Sequence, residues 1–521
     1  DRRQPGREAV TSGGVGQSGL KSGGKFGANG TFSYVNAETS VVAQVGDGAS
    51  VLSASSTTGA VNVTAADTFV GVAVSGAVVK GESTGIGISG AVTEVKRTTQ
   101  AIVGAALDSS SSQVPAASTW AIGGPLIVSA QDDGYLVGLV LASARNTPTQ
   151  GAAAGRAAVR APGSLNSRGV GISGDASYLR SENNVTALIY DSGSFSTQAL
   201  NDSSPNSSRA LSVVAGDKTV FAGFAGGYSS EQSTAESTKS LAIGGSFSEI
   251  DLSGDVVASV SGPSLTLLGD LTVSAERDNY LGTLTLAASG APNEKGWAVA
   301  GSVSLGFFEG NTTASLIDVS GTVVGDLEVS ATDDTTFVAL GGSVLSGGKN
   351  GLGVSFGYNS MVHAISAAIE GTTLHVTGDV GVEAIATTGI GTLGLAFDYT
   401  QGENGFSGAG DIAVNTIEMT LDAHVAKGSN LSVDGSLSVI AQDDSYLVSV
   451  SGGLAFATSA SVGVGAAVSY NLIANTIQAY LDDSTVAVNG EDDDGVSLTV
   501  SAVSSPLLIA MAAGLDGAGS V

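Results

Sequence analysis

The chain has 521 residues with 75 Gly, 9 Pro and no Cys, and 13% of them are charged against the roughly 25% of an ordinary soluble domain. Its 42% hydrophobic content and aperiodic glycine exclude collagen and a disordered tract, and the lack of cysteine excludes disulfides, thiolate metal sites and a Cys nucleophile. The formal charge of -28 repels nucleic-acid phosphates and anionic lipid surfaces, and no run reaches the roughly 18 apolar residues of a spanning helix, so neither nucleic acid nor a transmembrane segment is expected.

Residues 1–30 read as a Gly-rich leading segment. From there a phrase recurs: Val61-Asn-Val-Thr-Ala65, Leu126-Ile-Val-Ser-Ala130, Leu271-Thr-Val-Ser-Ala275, Leu327-Glu-Val-Ser-Ala331 and Leu498-Thr-Val-Ser-Ala502, with weaker copies ending at Ala215, Ala384 and Ala441. The anchoring alanines are 65, 85, 60, 56, 53, 57 and 61 residues apart, a period near 58 with one long outlier. They divide the chain into a partial repeat 31–65, repeats 66–130, 131–215, 216–275, 276–331, 332–384, 385–441 and 442–502, and a partial repeat 503–521. The outlier holds Arg145 to Arg168, with two prolines and four arginines, which reads as an inserted surface loop; Asn201 to Arg209 reads as a second.

After each anchor comes an acidic turn and an aromatic that opens the next strand, as in Gln131-Asp-Asp-Gly-Tyr135, Glu276-Arg-Asp-Asn-Tyr280 and Gln442-Asp-Asp-Ser-Tyr446. A third element begins at Asn184, Asn311, Asn415 and Asn475, and Thr39 to Val45 reads as another copy. The chain thus starts inside one unit and stops inside another, which implies a segment of a longer array or an end-to-end assembly of copies.

Alternation with a period near two, as in Tyr446 to Tyr470, predicts strands, and helix is expected to be minor. The fold predicted is an all-β, elongated β-solenoid of about eight repeats, each making two or three coils; tandem antiparallel sandwiches are the alternative. A unit of about 58 residues with few aromatics supplies a poor core of its own, which favours the solenoid. A transmembrane barrel is set aside because no aromatic girdles are evident in the sequence.

The phrase Asn475-Thr-Ile-Gln-Ala-Tyr-Leu-Asp-Asp-Ser-Thr-Val-Ala-Val, ending in Leu498-Thr-Val-Ser-Ala, resembles the repeats of giant bacterial surface proteins of the filamentous-haemagglutinin-like and autotransporter-passenger type. That resemblance covers about residues 31–521 and implies an exported, elongated β-helical stalk.

Chemical motifs are sparse. Gly353-Val-Ser-Phe-Gly357 matches G-x-S-x-G but lacks a strand-to-helix turn, so Ser355 reads as a strand residue. The G-x-G-x-x-G runs starting at Gly14, Gly85 and Gly169 have no following helix, and the last two read as equivalent places in adjacent repeats. His363, His375 and His424 form no metal motif and read as solvated or strand-face residues. The paired carboxylates Asp132, Asp133, Asp333, Asp334, Asp443 and Asp444 are the only weak calcium candidates, against the simpler reading of solvated acidic turns; Asp482-Asp483 and Glu491 to Asp494 are further acidic runs. No catalytic residue is assigned.

These readings predict a non-enzymatic extracellular or cell-surface structural or adhesive protein, a stalk or filament whose partners are its own copies, a surface polysaccharide or a host receptor. The alternative is a carbohydrate-binding or polysaccharide-degrading β-helix using calcium.

Overall fold

A computed structural model describes residues 7–19, 26–52, 59–81, 83–106, 115–146, 169–197, 209–231, 239–458, 461–490 and 497–519. Most of the inserted segment 145–168, most of the second loop and Glu491 to Asp494 lie outside the described residues. Among the described residues every strand pairing is parallel, which excludes antiparallel sandwiches and makes the chain a β-solenoid with three faces. One coil shows the plan. Leu271–Arg277 and Tyr280–Ala291 lie in sheet A, Trp297–Ile317 returns in sheet B, Ser320–Val323 crosses the short sheet C, and Leu327–Asp333 starts the next coil beside Leu271.

The register makes each repeat a single coil, where the sequence suggested two or three. Ala65, Ala130, Ala215, Ala275, Ala331, Ala384, Ala441 and Ala502 are successive partners in one ladder. The reason is strand length: sheet B strands such as Trp297–Ile317 run 21 residues, so one circuit consumes the whole period. At about 4.8 Å per coil and about 3.3 Å per residue along a strand, the body grows slowly along its axis and presents broad faces.

Sheets A and B form a wedge closed at its wide end by sheet C. There the anchor phrase turns Leu, Val and Ala inward, and residues such as Val213, Val273 and Val329 join one continuous core with a second alanine ladder in sheet B, Ala187, Ala258, Ala314, Ala367 and Ala423. Trp120 stacks on Phe195 at a centroid distance of 5.3 Å in the short third sheet. Thr39 to Val45 does occupy the third-element position, since Ala43 pairs with Ala101. The Asn415 and Asn475 copies do not: the residues in register with Asn311 are Thr420, five places after Asn415, and Thr476, one place after Asn475.

Toward the narrow edge the two sheets come close enough that only small residues fit between them. Gly465, on the strand Val462–Leu481, has the Leu515 and Gly453 carbonyl oxygens where a β-carbon would sit. The Gly85 and Gly169 motifs lie on neighbouring strands but two residues out of register, with Gly85 opposite Gly171, and Ser355 is a buried strand residue hydrogen-bonded to Ser302.

The aromatics form rows that single-chain inspection missed. Tyr135, Tyr280 and Tyr446 open equivalent outward positions of sheet A, and Tyr34, Tyr178, Tyr358 and Tyr470 occupy one outward column of sheet B. They are scattered along the chain and share columns only when coils are stacked, interspersed with Val220, Thr336 and Gly389 in sheet A and with Val92, Glu249, Leu305 and Val414 in sheet B.

Candidate functional site: a buried polar seam under an acidic groove

The acidic turns are bends within sheet A, and they split each carboxylate pair. Asp132, Asp333 and Asp443 point inward and are buried, while Asp133, Asp334 and Asp444 face solvent. Strand alternation demands this, because adjacent residues project to opposite faces. The reading of both carboxylates as solvated is therefore corrected for the first of each pair.

The inward column runs Asp67, Asp132, Asp217, Arg277, Asp333, Ala386, Asp443. It faces a sheet B column containing Arg97, Asn183, Gly310, His363, Met419 and Asn475. Arg97 Nε lies 3.0 Å from Asp67 Oδ2, its Nη2 pairs with Asp132 and donates to the Asp133 carbonyl at 2.8 Å. Asp217 accepts from Asn279 Nδ2 at 2.9 Å and Thr219 Oγ1 at 2.9 Å. Arg277 sits 4.0 Å from Asp217 and 3.7 Å from Asp333, lies over the Phe308 ring at 5.1 Å, and donates through Nη2 to the Gly254 carbonyl at 2.6 Å. Gly254 has φ 129, in the left-handed region, where sheet B breaks to receive that guanidinium. His363 Nδ1 is 3.2 Å from Asp333 Oδ2. Asp443 accepts from Asn475 Nδ2 at 3.0 Å, Ser504 Oγ at 2.9 Å and the Ser445 amide at 2.9 Å.

Burial alone would raise the Asp333 carboxyl, but the charge and hydrogen bond of His363 and the Arg277 guanidinium outweigh it and hold Asp333 down to about 2. A second set of buried carboxyls, nearer the narrow edge, has no facing cation in this seam: burial pushes Asp175 up to about 8, Glu231 to about 7 and Asp398 to about 6, and raises Asp411. Three of these sit on glycines of the opposite sheet, Glu231 on Gly169, Asp398 on Gly351 and Asp411 on Gly394, where a β-carbon would collide with the carboxylate.

Above the seam, on the outer face of sheet B, a groove of about 670 Å³ crosses the coils and is lined by Glu182, Asn184, Asp255, Glu309, Asn311 and Glu418. Among the described residues no group of three or more His, Asp or Glu side chains is placed to hold a metal ion. The calcium candidates are divided between an interior, where Asp132 meets Arg97, Asp333 meets Arg277 and His363, and Asp443 meets Asn475, and an outward column that also contains Lys218, itself paired with Asp278. That donor set does not fit a hard cation needing six to eight converging oxygens.

Of the histidines, His363 belongs to the seam, His424 is stacked on Tyr480 between Glu370 and Asp422, and only His375 is substantially exposed, beside Asp434. Arg97 and Arg277 were not singled out from the sequence. The signal was present in Glu276-Arg-Asp-Asn-Tyr280, where Arg277 replaces the first Asp of the recurring pair.

No protein-family model, curated protein or solved structure matches the chain. The likeness to bacterial surface-protein repeats rests on the repeat phrases alone.

Proposed function

We propose that the chain is a non-enzymatic structural or adhesive repeat protein of a bacterial surface, acting outside the cell. The observation that carries this reading is the unbroken register: one cross-section repeats from Ala65 to Ala502 in the same ladder, and successive coils differ mainly in the side chains they present. A body in which each coil contacts mainly its neighbours is stiff, extensible by duplication and indifferent to the identity of any one coil. Absence of cysteine and the surplus of acidic residues accord with an exported repeat array.

The groove along Glu182, Glu309 and Glu418 favours a second reading, a carbohydrate-binding β-helix, because its polar lining converges on one stretch of sheet B. Coil deletion separates the two. Removing residues 387–443 joins Ala386 to Asp444 in register and deletes one circuit including Glu418. Binding of the full chain and of this variant to cell envelopes and to a panel of polysaccharides is the measurement. An adhesive repeat body is expected to keep more than half of its binding; loss of all binding on removing this one circuit, or polysaccharide turnover by the full chain, would contradict the structural reading.

A further inference from the structure

The solenoid changes polarity at the Asp-Asp bends. On the sheet C side the interior is Val, Leu and Ala and the outer face carries Thr, Ser and Glu. Beyond the bends the pattern inverts. Inward positions become Thr283, Thr285, Ser302, Ser304, Asn359 and Asp411, all buried, once an apolar layer containing Phe221, Leu281 and Phe337 has been passed. Outward positions become apolar: Tyr280, Gly282, Leu284, Leu286 and Ala288 in one coil of sheet A, with the same five columns free of charged residues in every coil from Val70 to Leu515. The matching columns of sheet B, such as Trp297, Val299, Gly301, Val303 and Leu305, contain one charge, Glu249, at their body-side limit.

We propose that this inverted half is a lipid-facing body that enters a bilayer with its narrow edge leading. Four observations select hydrocarbon over other occupants. The first is thickness: on each sheet the apolar band is nine residues long, about 26 Å over its eight steps of about 3.3 Å, against a hydrocarbon core of about 30 Å and an apolar band of about 25 Å on membrane barrels. Secondly, the band is edged by aromatics on both sides, the tyrosine rows through Tyr280 and Tyr358 at the body and Trp297, Phe406, Tyr228 and Phe397 toward the narrow edge, as amphipathic rings are placed at membrane interfaces. Thirdly, polar groups resume beyond each edge: Glu294, Lys295, Gln401 and Glu403 in the turns at the narrow edge, and Asp133, Lys218, Asp278 and Asp334 on the body side. Fourthly, the polar residues lie inside and the coil-to-coil ladders pair the backbone of the inner coils, as hydrocarbon demands of strands, while the outer edges of the first and last described coils have no partner among the described residues.

The exposed band amounts to roughly 900 Å² on each sheet, taking the residue and coil spacings above, beyond the few hundred Å² that soluble monomers leave uncovered. A second copy would cover one sheet; a bilayer covers both and also accounts for the polar turns beyond them. The inference goes beyond the structural reading and stands or falls separately from it, since coil deletion shortens the band by one coil and leaves the other coils of the band in place.

The cysteine-free chain permits a direct test. A cysteine introduced as Leu340→Cys, labelled with an environment-sensitive dye, reports the middle of the band, and Glu328→Cys reports the body. The full chain is mixed with phosphatidylcholine vesicles, with and without mid-chain bromination, and floated on a density gradient. The expected result is co-flotation, with the dye at position 340 quenched by brominated lipid and the dye at 328 unquenched. Leu284→Glu, Leu340→Glu and Leu393→Glu combined place three charges on the outer face and should lower co-flotation about tenfold or more with unchanged circular dichroism. Should that variant not fold, the labelled chains decide the matter alone. Failure to float, or a position-340 dye shielded equally without lipid in a sedimenting dimer, would overturn the proposal, the latter in favour of copy-to-copy packing.

Discussion

Replacing Val273 by Asp is expected to destabilise its coil by several kcal/mol while leaving distant coils folded. Val273 is fully buried between Val213 and Val329 in the widest part of the core, with no polar partner in its ladder. A carboxylate there must either stay charged and unpaired or take up a proton, and both outcomes cost several kcal/mol, in the tail of single-substitution effects. Thr272, its outward neighbour, gives the control: Thr272→Asp should change stability by no more than about 0.5 kcal/mol. Because coils interact with nearest neighbours, limited proteolysis of Val273→Asp should cut within residues 216–331 first. Cooperative loss of the whole array at once would contradict the nearest-neighbour picture.

The second large effect concerns the seam. Arg277→Met removes the guanidinium shared by Asp217 and Asp333 and leaves both carboxylates buried. Breaking a buried ion pair by deleting one partner costs about 3–5 kcal/mol, whereas removing both charges is often nearly neutral. Chemical denaturation should therefore show a loss in that range for Arg277→Met and recovery of a large part of it in Arg277→Met with Asp217→Asn, a coupling that distant sites do not show. The pH dependence follows from Asp333. Its folded value, about 2, lies below the unfolded value near 4, so its contribution is present above pH 4 and lost as pH falls from about 4 to about 2. Arg277 supplies part of that lowering, so in Arg277→Met this acid-side loss shrinks. Equal stability of Arg277→Met and the unsubstituted chain would show that the seam carries no net interaction.

Much of this was legible in the sequence for a physical reason. In a parallel stack the same position in successive coils meets the same environment, so Ala65 and Ala502, at opposite ends of one ladder, are both alanine, and the period could be read before any strand was placed. What the sequence did not reveal depends on the circuit. The number of coils per repeat is set by strand length, and the run from Trp297 to Ile317 contains Gly306 and Gly310, which look like turns but make room for Phe337 and Arg277 of the facing sheet. Which side of an alternating strand faces in is also invisible along one chain. Asp132 and Asp133 look alike as neighbours, and the first is buried because it shares the inward parity of Leu126, Val128 and Ala130, with Arg97 facing it. The inverted polarity beyond Tyr280 went unread for the same reason, since Leu284 and Thr285 alternate equally well with either face inward.

The claim on which the rest depends is that one repeat makes one coil, and spin-label distances test it most directly. Asn62, Thr272, Ser438 and Thr499 lie in one outward column, with Ser438 one coil, Thr272 four coils and Asn62 seven coils from Thr499. Labels on paired cysteines at these positions should be separated by about 5, 19 and 34 Å, rising by about 4.8 Å per repeat. Increments of about 10 Å or more per repeat would mean that each repeat winds more than once or folds as a separate bead, and would contradict the single-coil architecture.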